Sequence, residues 1–168
     1  MRQVKRRLVV LAVLLAAAGS LASCGGLPKP YPDLKTYSAV APSLPPLAPG
    51  MTRIYFYRTL SYYDIQDGTT AYLNGKEVGF SRIGTVFYRD VPPGSYLISV
   101  LSRGQYPDQF KTIQAKPGQV WYARIESLKS WSGGNNNSDI RGDTFVVSLV
   151  APMVGNQEIQ DLSYLPPS

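Results

Sequence analysis

Histidine is missing from all 168 residues, and cysteine occurs once, at position 24. The first absence removes the commonest general base and the commonest metal ligand together. The second excludes an intramolecular disulfide and leaves an odd thiol to explain. Acidic residues number 11 against 17 Lys and Arg, giving a formal charge of +6 that overstates the basicity of the folded part. Arg2, Lys5, Arg6 and Arg7 precede Cys24, so 13 basic residues follow it against 11 acidic ones. Gripping a nucleic-acid backbone needs a basic patch on the folded domain. A basic cluster confined to the extreme N-terminus reads as a targeting signal, and no nucleic-acid partner is expected. The longest apolar run, Leu8–Ala18, has 11 residues, well short of the roughly 20 that a spanning helix needs.

What is present at the N-terminus has three parts: a positive segment Met1–Arg7, that apolar run, and Leu21-Ala22-Ser23-Cys24. Length and flanks fit a secretory signal peptide. The tetrapeptide resembles the lipobox of bacterial lipoproteins, a branched aliphatic residue and two small residues before Cys. The resemblance implies that a diacylglyceryl group is attached to the Cys24 sulfur, that the Ser23–Cys24 bond is cut, and that the new α-amine is acylated. Each buried CH₂ contributes about 0.8 kcal/mol, and two or more acyl chains hold stably where one is marginal. Gly25 follows the Cys where an Asp favours retention in the inner membrane of Gram-negative cells. By resemblance, the expected location is the outer membrane, facing the periplasm. The alternative is the inner or plasma membrane.

Gly25–Pro49 holds seven of the 14 prolines. Proline removes a backbone donor and fixes φ, so an extended tether with polyproline II character is expected over 24–49. At about 3.1 Å per residue it would reach roughly 75 Å.

From Met51 the composition changes. Short runs rich in Tyr, Phe, Val and Ile alternate with Gly, Pro and Asn turns, the pattern of an all-β sandwich. Met51–Arg58, aromatic on both faces, predicts a central strand. Thr70–Leu73 and Lys76–Phe80 flank Asn74-Gly75, which suits a two-residue type I′ turn. Further strands are expected at Thr85–Val91, Tyr96–Leu101, Phe110–Ala115, Val120–Glu126 and Thr144–Val150. Lys116-Pro117-Gly118-Gln119 fits a type II turn. The whole predicts a single β-sandwich of about seven to eight mostly antiparallel strands over 50–168. Near the end, Asn156 is a candidate cap for a short helix over Gln157–Leu162, with Ile159 and Leu162 facing the sheet.

The segments Arg53–Arg58, Ala71–Gly79, Pro93–Tyr96 and Gly118–Arg124, in that order and spacing, resemble the lipoprotein family called domain of unknown function 2846. The middle portion also resembles the PEGA-type repeat, a small surface β-module. The likeness covers about Met51–Val150 and rests on turn and strand residues, so it implies a fold and no activity.

Few residues offer chemistry. Without His, a nucleophilic triad would need Lys, Asp or Glu as base, and no Ser-x-x-Lys motif occurs. Paired carboxylates are available only as Asp64 with Asp67 and Asp139 with Asp143, in segments whose composition predicts solvated loops. In Ser132–Asp143, Asn135, Asn137 and Asp139 alternate as in a calcium loop. Ile140 stands where an EF-hand needs Gly, and Val146 where it needs Glu. Arg141-Gly142-Asp143 spells an integrin-ligand tripeptide, of a length that arises easily by chance. The strand aromatics Tyr55, Phe56, Tyr57, Phe87, Tyr88, Trp121 and Tyr122 are expected in the core or in cross-strand pairs. Tyr62, Tyr63, Tyr106 and Trp131 fall in loops. Trp131, Asn135, Asn137 and Asp139 are therefore the candidate ligand-contact residues. The expected protein is a lipid-anchored, non-catalytic binding or structural module of the cell envelope, with no cofactor or metal. Its partners would be the membrane, and other envelope proteins or peptidoglycan. The alternatives are a glycan or peptidoglycan binder using loop aromatics, and a carboxylate-dependent enzyme.

Overall fold

A computed structural model describes residues 31–61, 68–128 and 144–166. They form nine strands: β1 (Thr52–Arg58), β2 (Thr69–Leu73), β3 (Lys76–Ser81), β4 (Thr85–Val91), β5 (Gly94–Val100), β6 (Lys111–Ala115), β7 (Val120–Ser127), β8 (Phe145–Val150) and β9 (Ser163–Tyr164). The eight expected strands are present with bounds within two residues, and β9 is an addition. Two sheets result, ordered β8-β7-β1-β4-β9 and β3-β2-β5-β6. Pairing is antiparallel except for β1 with β7 and β4 with β9. The Asn74-Gly75 turn has φ of 49° and 77°, the positive pair that a type I′ hairpin requires.

β1 is buried at all seven positions. Ile54 and Phe56 point between the sheets, where they meet Phe87, Ile125 and Val147 of their own sheet and Leu73, Ile98 and Ile113 of the other. Phe56 and Phe87 face each other in register and stack at 5.1 Å. Tyr55 and Tyr57 point the opposite way. There Tyr88, Tyr55 and Tyr122 stand abreast on β4, β1 and β7. Tyr55 stacks on Tyr122 at 5.1 Å and meets Tyr88 edge-on at 5.8 Å. Such pairs contribute about 0.5–1.5 kcal/mol each beyond simple burial.

A third layer covers this tyrosine face, and it corrects the expected tether. Tyr31–Pro49 belongs to the folded unit. It carries a one-turn helix, α1 (Tyr37–Val40), running into a 3₁₀ turn over Ala41–Ser43. The Tyr37 hydroxyl lies 2.7 Å from that of Tyr55, and Val40, Ala41 and Leu44 press on the same cluster. The backbone N–H groups of Tyr37 and Ser38 donate to Leu162 and Gln160 carbonyls at 2.8 and 3.0 Å, while that of Tyr164 donates to Lys35 at 2.9 Å. Proline did not prevent this, because Pro42 sits in a first turn that needs no donor from it. The sequence signal for it is the apolar spacing of residues 37, 40, 41 and 44, which is that of one helical face.

The rest of the layer is α2 (Pro152–Ile159). It begins four residues before its expected cap, because Pro152 supplies a preformed first turn after Ala151. Asn156 lies inside the helix. Ile159 and Leu162 are buried, as their spacing predicted. Gly155 is pressed flat on Tyr122: a Cβ there would stand 2.3 Å from the ring. Gly155→Ala should therefore lower stability by about 1–3 kcal/mol through overpacking, despite alanine's better helix propensity. Denaturant melts of the two proteins check this, and an unchanged or raised midpoint would contradict the contact.

Candidate functional site

The strand directions bring several strand ends and the 101–110 connection to one end of the sandwich. β1 and β7 run parallel and finish there, and β8 starts there opposite Ser127. β2 also starts there, since the Thr69 hydroxyl donates to the Leu101 carbonyl. The residues flanking segments 62–67 and 129–143 thus lie at the same end as the 101–110 connection. That connection is stitched to the start of β8. Gln109 Nε2 lies 2.6 Å from the Phe145 carbonyl and 2.7 Å from Ser102 Oγ, and Ser102 Oγ accepts the Phe145 N–H at 3.0 Å. Arg58 is fully buried beneath, with its guanidinium 5.1 Å from the Phe145 ring centre. Tyr106 is exposed on this base.

Trp131, Asn135, Asn137 and Asp139 lie outside the described residues, as do Asp143, Tyr62, Tyr63, Asp64, Asp67, Ser23 and Cys24. Among the loop aromatics, Tyr106 is the one the structure describes. The strand aromatics stand where their parity put them. Trp121 is half-buried, with Nε1 donating to Gln119 Oε1 at 3.2 Å. It lines a surface cavity of about 510 Å³ together with Leu149, Val150 and Pro152.

Sequence reasoning missed a charged network on the tyrosine face. Arg53 forks onto both carboxylate oxygens of Asp90 at 2.7 Å, and its guanidinium lies 4.0 Å over the Tyr88 ring. The Asp90 contact raises the Arg53 pKa above its ordinary value. Tyr57 donates to Glu158 Oε2 at 2.6 Å, and Arg124 NH1 donates to Glu158 Oε1 at 3.0 Å. Glu126 pairs with Arg124 at 3.3 Å and accepts from Ser148 at 2.8 Å. One carboxylate of α2 thus satisfies two donors rising from the sheet. A signal existed: Arg53 and Arg124 share strand parity with Tyr55 and Tyr122, so they had to emerge on the covered face beside them.

Among the described residues, no three His, Cys, Asp or Glu side chains converge as metal ligands. No helix there is long and apolar enough to cross a membrane. No family model, curated protein or solved structure matches the chain.

Burial raises the pKa of the Tyr122 and Tyr164 hydroxyls to about 12. Tyr57 is raised further, by burial and then by its bond to Glu158, and Tyr37 by burial and then by its bond to Tyr55. Below pH 10 both folded and unfolded chains keep these protons, and stability is at its full value. Above pH 10 the unfolded chain releases them while the folded chain does not, so stability falls. The expected slope is about 1.4 kcal/mol per pH unit for each such tyrosine. Urea midpoints taken between pH 9 and pH 12 test this; a flat profile would mean that the tyrosine face is open to water.

Proposed function

We propose that this chain is a lipid-anchored bacterial envelope lipoprotein whose folded part is a non-catalytic module for binding or structural contact. Membership of the domain of unknown function 2846 family belongs to the same reading. The observation that carries it is the sequence Leu21-Ala22-Ser23-Cys24, placed behind a charged segment and an 11-residue apolar run, with the sole cysteine of the chain at its end. The fold supports a contact role. Arg53 pairs with Asp90 across β1 and β4 and donates to the Pro45 carbonyl, and Arg124 with Glu158 ties α2 to the sheet, so these charges are spent on holding the fold together. The outer membrane, facing the periplasm, is the proposed location. Cys24→Ser should abolish incorporation of a fatty-acid analogue and move the protein out of the mature membrane-anchored pool. A wild-type chain that takes no label would sink the anchor.

A second reading, a glycan-contacting end, is favoured by the convergence of the strand ends there and by exposed Tyr106. Flat aromatic faces suit stacking on sugar rings, and Trp131 follows β7 in the sequence. Peptidoglycan sacculi should then co-sediment with the protein, and Trp131→Ala should weaken this about tenfold, the loss of one aromatic anchor. Absence of co-sedimentation would remove this reading.

A further inference from the structure

The described chain starts at Tyr31, against Arg82, whose guanidinium lies 5.9 Å from the Tyr31 ring. Only seven Cα–Cα steps separate Tyr31 from Cys24. Even fully extended they span at most about 25 Å. The surface around Arg82 is therefore held near any anchor on Cys24.

That surface is a groove. β3 is the outer strand of its sheet, and β4 is bordered by β9 only at Thr85 and Val86. Between β3 and β4 lies a space of about 310 Å³ lined by Phe80, Arg82, Phe87, Arg89 and Leu165, with Glu77 as its one acid. A second space of about 320 Å³ continues it past Glu77 and Arg89. The Arg82 guanidinium lies 5.6 Å from the exposed Phe80 ring, and that of Arg89 lies 5.4 Å from the Phe87 ring. Arg53 and Arg124 have carboxylate partners. Arg82 and Arg89 have none among the described residues, and Arg89 NH1 donates only to the Tyr88 carbonyl, at 2.8 Å. Arg89 is half-buried, and that burial lowers its pKa. A charge placed so, without a counterion, favours an oxyanion that can accept from its fork.

We propose that the β3–β4 groove takes the phosphate of an anionic lipid headgroup, with Arg82 and Arg89 as donors, in the membrane that carries the anchor. This rests on the lipoprotein reading for the lipid source. A headgroup layer within reach of a short tether is presented at high effective concentration. Exposed Phe80 at the groove rim suits the boundary between headgroups and acyl chains. Docking by this edge would lay the sandwich against the bilayer.

The test uses the full chain as processed in cells, reconstituted into phosphatidylcholine vesicles or into an equimolar mixture with phosphatidylglycerol. Hydrogen exchange is followed over residues 76–91. The anionic vesicles should slow it about fivefold, the effect of roughly one basic residue at a charged surface. Arg82→Glu, at an exposed turn position, should abolish the slowing, and Arg89→Gln should reduce it. Equal exchange on both vesicles overturns the proposal, as does slowing that survives Arg82→Glu. Slowing by inorganic phosphate on detergent-held protein, with none on vesicles, also overturns it by assigning the groove to a soluble anion. A chain that takes fatty-acid label but shows no slowing rejects the groove alone. One that takes no label rejects the anchor, and the lipid source with it.

Discussion

A strand with apolar side chains on both faces must be covered twice. β1 has seven consecutive buried residues, so a single opposing sheet could protect only half of it. The second sheet takes Ile54 and Phe56. The tyrosine side needs another cover, and the chain supplies it from both ends: residues 31–49 come before β1, and α2 with β9 come after β8. Those two pieces hydrogen-bond to each other as well as to the sheet, through Tyr37 with Leu162 and Tyr164 with Lys35. The polar atoms of the covered face are matched at the same time. Tyr55 meets Tyr37, Tyr57 meets Glu158, and Arg53 meets Asp90. Burial of these hydroxyl and guanidinium groups of Tyr55, Tyr57 and Arg53 is tolerable because each of the three finds a partner.

Most of the sandwich was legible because strand signals are local. β4 was readable residue for residue, and β6 from its alternation of buried and exposed positions. The centrality of β1 followed from its lack of a polar face. The outer layer was harder to read, since its two halves lie more than 100 residues apart and cover each other only in three dimensions. Proline density between Pro28 and Pro49 suggests an extended tether with polyproline II character, although proline is disfavoured only where its donor is needed. The helix near the C-terminus was recognised by its apolar pair, Ile159 and Leu162. Its start lies at Pro152, whose fixed φ suits a first helical turn, and not after the capping residue type at Asn156.

The site was less legible than the fold. Charged residues inside strands announce a covered polar network only when their parity is compared with that of neighbouring aromatics, as for Arg124 beside Tyr122. The groove between β3 and β4 depends on which strand edges stay unpaired, and one sequence does not reveal sheet order. Cys24 lies outside the described residues, and its resemblance to a lipobox rests on four contiguous residues of sequence.

The joining of Tyr37 to Leu162 and of Lys35 to Tyr164 also sets an order of events. Synthesised from its amino end, the chain presents residues 31–49 well before Tyr164. Until that last stretch arrives, the tyrosine face of β1, β4 and β7 has only half of its lid. A chain that has formed β1, β4 and β7 without that stretch would therefore leave an aromatic surface open to solvent. Late-arriving β9 closes it, so the tyrosine face is fully covered only once residues 163 and 164 are in place.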